Sequence, residues 1–100
     1  MSAITQLTRY KSRNHDEMVK AAKQAKAIYE RHGAELFRVS RFHTGQWAGE
    51  WLAVSRYKNW SAYGKAMEGL AEDAEFQKLY AHVLSVAELT GRSITVGIDL

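Results

Sequence analysis

The chain has 100 residues, enough for one domain with a hydrophobic core and too few for two. Its apolar fraction of 46% is typical of a globular chain, and the absence of cysteine excludes disulfides, thiolate metal ligands and cysteine nucleophiles. The net charge of +3 comes from basic residues scattered over several predicted elements, which argues against nucleic acid as a partner. With no long apolar run and no signal-like N-terminus, we expect one cytoplasmic domain over residues 1–100 and no membrane segment.

A strand and a helix are predicted first. Residues 3–10 (AITQLTRY) combine Thr, Ile and Tyr in partial alternation, which is typical of a strand. Asn14 is a favoured N-cap residue, and Glu17 stands three positions later as its capping-box partner. Apolar residues then recur at helical spacing as far as Gly33, a residue that commonly follows a helix end. We therefore predict a helix between Asn14 and Gly33.

A hairpin follows. Residues 36–43 (LFRVSRFH) and 50–58 (EWLAVSRYK) are rich in β-branched and aromatic residues, which predicts two strands. The intervening TGQWAG, residues 44–49, contains two glycines and indicates the turn that joins them.

The last third of the chain predicts a divided helix and a final strand. The helix begins at Asn59 or Ser61, and we expect it to be interrupted at Asp73, because Asp is a strong N-cap and starts a new helix. Gly91 marks the predicted end of this second part, and SITVGIDL at the C-terminus predicts a strand.

The element order β-α-β-β-α-β predicts an α+β, ferredoxin-like fold with a four-stranded antiparallel sheet and a split second helix. The tripeptide Arg-Tyr-Lys occurs twice, at residues 9–11 and 56–58. We interpret this echo as the equivalent ends of two neighbouring, parallel central strands rather than as a repeated substrate motif.

Alternation along the strands assigns the residues to two faces of the sheet. Leu52 and Val54 are expected beneath the helices. Both faces of the second strand mix apolar with polar residues, and there we favour Phe37 and Val39 beneath the helices. This leaves a far face that mixes aromatic with polar side chains. Its members are Ile4, Gln6, Thr8, Tyr10, Arg38, Phe42, Trp51, Ser55 and Tyr57.

An aromatic face of this kind, left in water, usually marks an interface or a ligand site. The simplest arrangement that covers it is a twofold homodimer with the two sheets stacked face to face. Space left between the sheets would form a cavity for a small hydrophobic ligand. Alternatively, side chains fill that space and the face serves dimerisation alone; the sequence leaves both possibilities open.

Candidate chemistry follows from the residue types on this face. Tyr57 and Tyr10 are the best candidates for catalysis, because their hydroxyls can donate hydrogen bonds to a carbonyl or phenol. Arg38 can hold an anionic oxygen, and Trp51 can stack on a flat ring. The other predicted ligand-binding residues are Gln6, Thr8, Phe42 and Ser55. The four histidines lie in different predicted elements without carboxylates at ligand spacing, so we expect no metal site, and no cofactor is indicated.

Two passages, VSRYKNWSAYGKAM (residues 54–67) and AEDAEFQKLY (residues 71–80), together with the element order, resemble the dimeric α/β-barrel superfamily. This superfamily includes NIPSNAP-like, EthD-like, stress-responsive and antibiotic-biosynthesis-monooxygenase-type domains, and the resemblance covers essentially the whole chain. It implies a barrel-forming homodimer and, as possible activities, cofactor-free monooxygenation, isomerisation or haem degradation.

Haem degradation is the least favoured of these activities. The haem-degrading members of the superfamily use an Asn on the first strand, where this chain has Gln6 and Thr8. They also use a Trp near the end of the third strand, where this chain offers Tyr57 or Trp60, and a helical axial histidine, for which His82 is the candidate.

Overall fold

A computed structural model describes residues 2–100, and Met1 lies outside the described residues. Four strands and three helices make up this part of the chain. They are β1 (Ile4–Lys11), α1 (His15–Arg31), β2 (Leu36–Arg41), β3 (Trp51–Tyr57), α2 (Trp60–Glu72), α3 (Ala74–Val86) and β4 (Glu88–Val96). The predicted βαββαβ order is confirmed, and so is the division of the second helix at Asp73.

Side-chain caps define the starts of all three helices. The Asn14 carboxamide oxygen accepts a hydrogen bond from the Glu17 backbone N–H at 3.3 Å, and that of Asn59 accepts one from the Ala62 N–H at 2.8 Å. Asp73 accepts two such bonds from the first turn of α3. Each cap satisfies backbone donors that have no partner within their helix, so the local sequence alone determines where these helices begin.

The junction between α3 and β4 differs from the prediction. α3 ends at Val86, and Gly91, the predicted end of the helix, lies within β4. The β1–β4 register shifts between Arg9 and Tyr10, and a Cβ atom at Gly91 would come within 2.3 Å of the Arg9 guanidinium. Gly91 therefore lies in the sheet beside the Arg9 guanidinium and does not mark a helix end.

The sheet order is β2-β3-β1-β4, and every neighbouring pair is antiparallel. Arg9 pairs with Leu52, whereas Arg56 pairs with Thr5, so the two Arg-Tyr-Lys tripeptides lie at opposite ends of β1 and β3. The interpretation of the echo as equivalent ends of parallel strands is therefore wrong. Because α1 carries the chain back along the sheet, β2 runs in the same direction as β1. The β2–β3 hairpin then reverses the chain, so β3 is antiparallel to β1.

All three helices pack on one side of the sheet, which gives the molecule two layers. Part of the core lies between α1 and the α2–α3 pair, around Ile28, Leu70 and Leu79. A second part surrounds Tyr57 and Ala66, where α2 meets β3. None of the described helices has the length and apolar character needed to cross a membrane.

We call the side of the sheet beneath the helices the helix face and the uncovered side the open face. The predicted facing of β1 and β3 is wrong, because the predicted far-face residues of these two strands point towards the helices. Their buried members are Ile4, Gln6, Thr8, Trp51, Ser55 and Tyr57. Leu52 and Val54 consequently lie on the open face. The facing of β2 is as predicted, with Phe37 and Val39 beneath the helices.

The edge strand β4 has little cover. Ile94 pairs with Gln6 and Val96 with Ile4, which places both on the helix face. They remain 43% and 49% exposed, so the helices cover this edge of the helix face only in part. The final strand was predicted to continue to the C-terminus, but in the structure it ends at Val96.

Candidate functional site

A cavity of about 70 Å³ lies between the helix face and the helices α1 and α3. Small side chains create the space on both layers: Ala21, Ala22 and Ala25 from α1 oppose Ala53 of β3. The remaining apolar wall consists of Met18, Phe37, Val39, Phe76, Leu79 and Val83. This cavity is contained in one protomer, whereas the sequence predicted a cavity between two sheets.

The volume limits what the cavity can hold. An apolar cavity of about 150 Å³ accommodates benzene, so the present space is about half of that needed for one ring. The cavity is also partly open to solvent. A single-ring ligand therefore fits only if it extends through the opening or if neighbouring side chains move, and larger ring systems require a wider rearrangement.

Five side chains bring polar atoms to this otherwise apolar wall. They are Thr8, Tyr10, Tyr29, Trp51 and Tyr80. Three of them, Thr8, Tyr10 and Trp51, were predicted as ligand-binding residues, and the structure brings them together. Their role in binding stays a prediction.

Trp51 is the most constrained of these residues. It is 4% exposed, and its indole Nε1 is buried without a hydrogen-bond partner among residues 2–100. The His15 ring centroid lies 5.3 Å from that of Trp51, and the Arg41 guanidinium lies 5.0 Å from the indole ring centroid. A buried donor without an acceptor costs about 1–3 kcal/mol. An acceptor on a bound ligand would remove that cost.

Tyr57, the first candidate for catalysis, lies apart from the cavity. Its side chain is fully buried and packs edge-on against Tyr63, with ring centroids 5.3 Å apart. Burial raises the pKa of Tyr57, and its hydroxyl has no hydrogen-bond partner within the described chain. The predicted site residues Gln6 and Ser55 are also buried but do not reach the cavity; the Gln6 carboxamide oxygen accepts a hydrogen bond from the Tyr63 hydroxyl at 2.9 Å.

Two other predicted site residues lie on the open face. Arg38 is exposed and sits opposite Val54 in the sheet. Phe42 packs against Trp47, with ring centroids 5.5 Å apart, at the hairpin end of the same face. The sheet therefore separates both residues from the cavity, and neither contacts a ligand bound there.

The candidate haem ligand also lies away from the cavity. His82 is exposed on α3, where its Nε2 atom is 2.8 Å from the Glu17 carboxylate of α1. The imidazole thus joins two helices at the surface and does not line the cavity.

Sequence reasoning missed three residues at the site. Tyr29 and Tyr80 fit the apolar stripes of their helices, so the pattern indicated only packing. Arg92 follows a glycine that was interpreted as a helix end, and the final strand was predicted to start one residue later. In the structure the Arg92 Nε atom is 3.5 Å from the Thr8 hydroxyl oxygen, at the edge of the cavity.

Two phenols of the site, Tyr10 and Tyr29, are neutral hydrogen-bond donors at physiological pH, because their pKa values are raised. Burial is the main reason why the pKa values of Tyr10 and Tyr29 are raised, and Arg92 partly opposes the shift of Tyr10. Among the described residues, the cavity wall contains no carboxylate and no imidazole. The site can therefore stabilise negative charge on a ligand, but it does not offer a general base of its own.

No family model matches the chain, and no curated protein matches it either. Solved structures with the same fold do match over the full chain. An uncharacterised NIPSNAP domain protein from Burkholderia xenovorans is 16% identical, with a TM-score of 0.75 over 100% of this chain and 95% of that one. A dimeric ferredoxin-like protein from an uncultured marine organism is 13% identical, with a TM-score of 0.75 over 100% of this chain and 99% of the other.

A third structural neighbour is SnoaB from Streptomyces nogalater, described as a cofactor-independent oxygenase. It is 10% identical and has a TM-score of 0.72 over 100% of this chain and 97% of that one. The chain therefore shares the ferredoxin-like fold of these structures. At these identities the likeness establishes the fold and leaves the chemistry to be argued from the site.

Proposed function

We propose that this protein binds a small, flat, single-ring compound in the cavity and promotes its oxygenation by O₂ without a cofactor. The observation that carries this proposal is the buried, unpartnered indole N–H of Trp51 in the wall of an apolar cavity that also holds phenol donors. The structural likeness to a cofactor-independent oxygenase supports the reaction class.

The chemistry of the wall restricts the substrate. Because no side chain of the described wall is a base, the substrate needs an acidic hydroxyl, phenolic or enolic, that ionises readily. The electron-rich anion can then reduce O₂. A CH₂ group conjugated with the anion becomes C=O: one oxygen atom enters the product, and the other leaves as water with the two hydrogens. The apolar wall limits the contact of the anion with water, and Thr8, Tyr10 and the indole N–H stabilise it.

The same anion allows a second reaction, isomerisation, in which the proton returns to a different carbon. We prefer oxygenation to isomerisation because a structural neighbour is described as an oxygenase. Uptake of O₂ in the presence of enzyme and substrate separates the two reactions, since isomerisation consumes none.

We also propose that two copies associate through their open faces. Leu7, Leu52 and Val54 present aliphatic side chains there, and no described element covers them. One structural neighbour is described as dimeric. The predicted alternative, a module whose aromatic face serves only for dimerisation, loses its main residues because Trp51 and Tyr57 are buried beneath the helices.

Ligand binding can be measured through Trp51 fluorescence. The other tryptophans, Trp47 and Trp60, are 38% and 55% exposed, and replacing both by Phe leaves Trp51 as the only indole. We expect 4-nitrophenol, a quenching single-ring phenol, to quench this variant in a saturable manner. A strictly linear, unsaturable response would contradict the proposal.

A matched pair of variants on α1 tests the location. Ala25 lines the cavity and Ala27 is exposed, so Ala25→Leu fills the space while Ala27→Leu does not. We expect Ala25→Leu to weaken 4-nitrophenol binding at least about tenfold, because overpacking of a filled site costs about 1–3 kcal/mol, and Ala27→Leu to leave it unchanged. Circular dichroism checks that both variants are folded.

A further inference from the structure

Arg92 has a position that the oxygenase proposal does not use. It lies directly opposite Thr8 in the β1–β4 pair, and its Nε atom is 3.5 Å from the Thr8 hydroxyl oxygen. Thr8 is 5% exposed and lines the cavity. Arg92 itself is solvent-exposed and does not line the cavity, but this contact places its positive charge beside the cavity, on the strand that the helices leave largely uncovered.

No carboxylate neutralises this charge within the described chain. Arg9 forms an ion pair with Glu50, and Arg31 forms ion pairs with Asp73 and Glu75, whereas Arg92 forms none among residues 2–100. A guanidinium without a carboxylate partner, next to an apolar cavity, is available for an anion from outside the chain.

Phenols from three elements surround the same region. Tyr10 comes from β1, Tyr29 from α1 and Tyr80 from α3, and all three line the cavity. Burial is the largest influence that raises the pKa of Tyr10, with a further contribution from Tyr80, while the charge of Arg92 lowers it. Tyr10 and Tyr29 thus stay protonated and add hydrogen-bond donors without cancelling the charge of Arg92.

The other arginines near the sheet do not share this arrangement. Arg38 lies on the open face, with the sheet between it and the cavity. Arg41 stacks over the Trp51 ring, and its guanidinium donates to the Gly49 carbonyl at 3.0 Å. Arg92 alone combines a cavity-lining partner with neighbouring phenols.

We propose that Arg92 and the surrounding tyrosine hydroxyls make the cavity selective for ligands with an ionised oxygen, so that the substrate is a small phenol or enol bound as its anion. The ring occupies the apolar part between α1, α3 and the sheet, and the oxygen faces β4. This inference rests on the proposed function, since it assumes that the cavity binds a single-ring ligand. Arg92 acts as a specificity-determining residue.

Two probes of nearly equal shape test the proposal: 4-nitrophenol, whose anion has its own absorbance band, and nitrobenzene, which lacks the hydroxyl. In the chain with Trp51 as the only indole, we expect the nitrophenolate to bind at least about tenfold more tightly than nitrobenzene, because a hydrogen bond to a charged group contributes about 1.5–3 kcal/mol. We also expect the pKa of bound 4-nitrophenol to fall by about one unit.

Variants of two arginines complete the design. Arg92→Gln should remove the preference for the anion and restore the pKa of the bound phenol, while nitrobenzene binding stays within about twofold. Arg92→Lys, which keeps the charge, should retain part of the preference. Arg38→Gln, on the open face of the same sheet, should behave like the unsubstituted chain.

The outcomes separate this inference from the proposed function. Failure of both probes to bind the unsubstituted chain overturns both. Equal binding of the two probes, or a preference for the anion that survives Arg92→Gln, overturns the role of Arg92 and leaves the cavity as a ligand site. An equal loss of both probes in Arg92→Gln assigns Arg92 a merely structural role and also overturns the inference.

Discussion

The helix face and the open face of the same strands differ in a way that burial alone does not explain. The covered face contains Gln6, Thr8 and Ser55, which are 5%, 5% and 3% exposed. The open face contains aliphatic residues such as Leu7 and Val54, which lie opposite each other in the β1–β3 pair and remain partly exposed. The helix face thus buries several polar side chains among its apolar ones, while aliphatic side chains stay partly exposed on the open face beside charged ones such as Arg38.

This inversion indicates different tasks for the two faces. Buried polar groups are costly unless they are hydrogen-bonded, and here Gln6 is paired with Tyr63 while Thr8 faces both the cavity and Arg92. On the open face, aliphatic residues contribute burial energy only when another surface covers them. The helix face therefore carries the candidate chemistry, and the open face carries the candidate assembly surface.

The largest expected effect comes from a charge on the open face. Leu7 lies between Val54 of β3 and Ser93 of β4, with no acidic side chain directly opposite on either strand. We expect Leu7→Lys to raise the dissociation constant of the homodimer at least about 100-fold, because an unpaired charge at the centre of an interface costs several kcal/mol. Light scattering coupled to size exclusion measures the mass of the species in solution.

The control for this experiment is Ala27→Lys, which adds the same charge on the exposed side of α1. It should leave the dimer intact. An unsubstituted chain that is monomeric at all accessible concentrations, or a Leu7→Lys variant that still dimerises, contradicts the assignment of the open face as the assembly surface.

A second comparison concerns stability within the protomer. Ile4 on the helix face is fully buried, whereas Leu52 on the open face is half-buried. Ile4→Ala should lower the free energy of unfolding by about 2–5 kcal/mol at every protein concentration. Leu52→Ala should lower it by less than about 1.5 kcal/mol in dilute protein and by more in concentrated protein, because association adds to stability by mass action. Urea denaturation at two protein concentrations measures the free energy of unfolding of both variants. If the two variants lose equal stability at both concentrations, the distinction between the faces is wrong.

The sequence allowed the element order and the helix starts to be predicted, because Asn14, Asn59 and Asp73 act on their own next few residues. It did not allow the facing of β1 and β3 to be predicted. Alternation places Trp51 and Leu52 on opposite faces, but both sets are apolar enough to be buried, and only packing against the helices decides between them.

The residues of the candidate site, like the faces of the strands, could be predicted from the sequence only in part. Thr8, Tyr10 and Trp51 were predicted because they are strand residues with suitable chemistry. Arg92 was not, because its position depends on a long-range pairing with Thr8, 84 residues away, that no local pattern encodes. Gly91 was interpreted wrongly for the same reason, since its place in β4 depends on the pairing with Arg9 of β1.

The smallest effect on stability, and the most specific one on binding, is expected at Thr8. Thr8→Val keeps the shape of the side chain and removes the hydroxyl that the Arg92 Nε atom approaches at 3.5 Å. Because this contact is long, we expect the free energy of unfolding to change by less than about 1 kcal/mol. Binding of 4-nitrophenolate should weaken severalfold, since both a donor in the wall and the partner of Arg92 are lost, while nitrobenzene binding should not weaken.

Thr5→Val is the matched control, because it makes the same change three residues earlier in β1, on the open face. Both substitutions favour a strand equally, so a difference between them reports the face and not the residue type. If Thr8→Val and Thr5→Val leave the nitrophenolate affinity equally unchanged, the buried hydroxyl of Thr8 takes no part in the site. If Thr8→Val instead destabilises the fold by several kcal/mol, the polar residues of the helix face serve the core, and their burial needs no ligand to explain it.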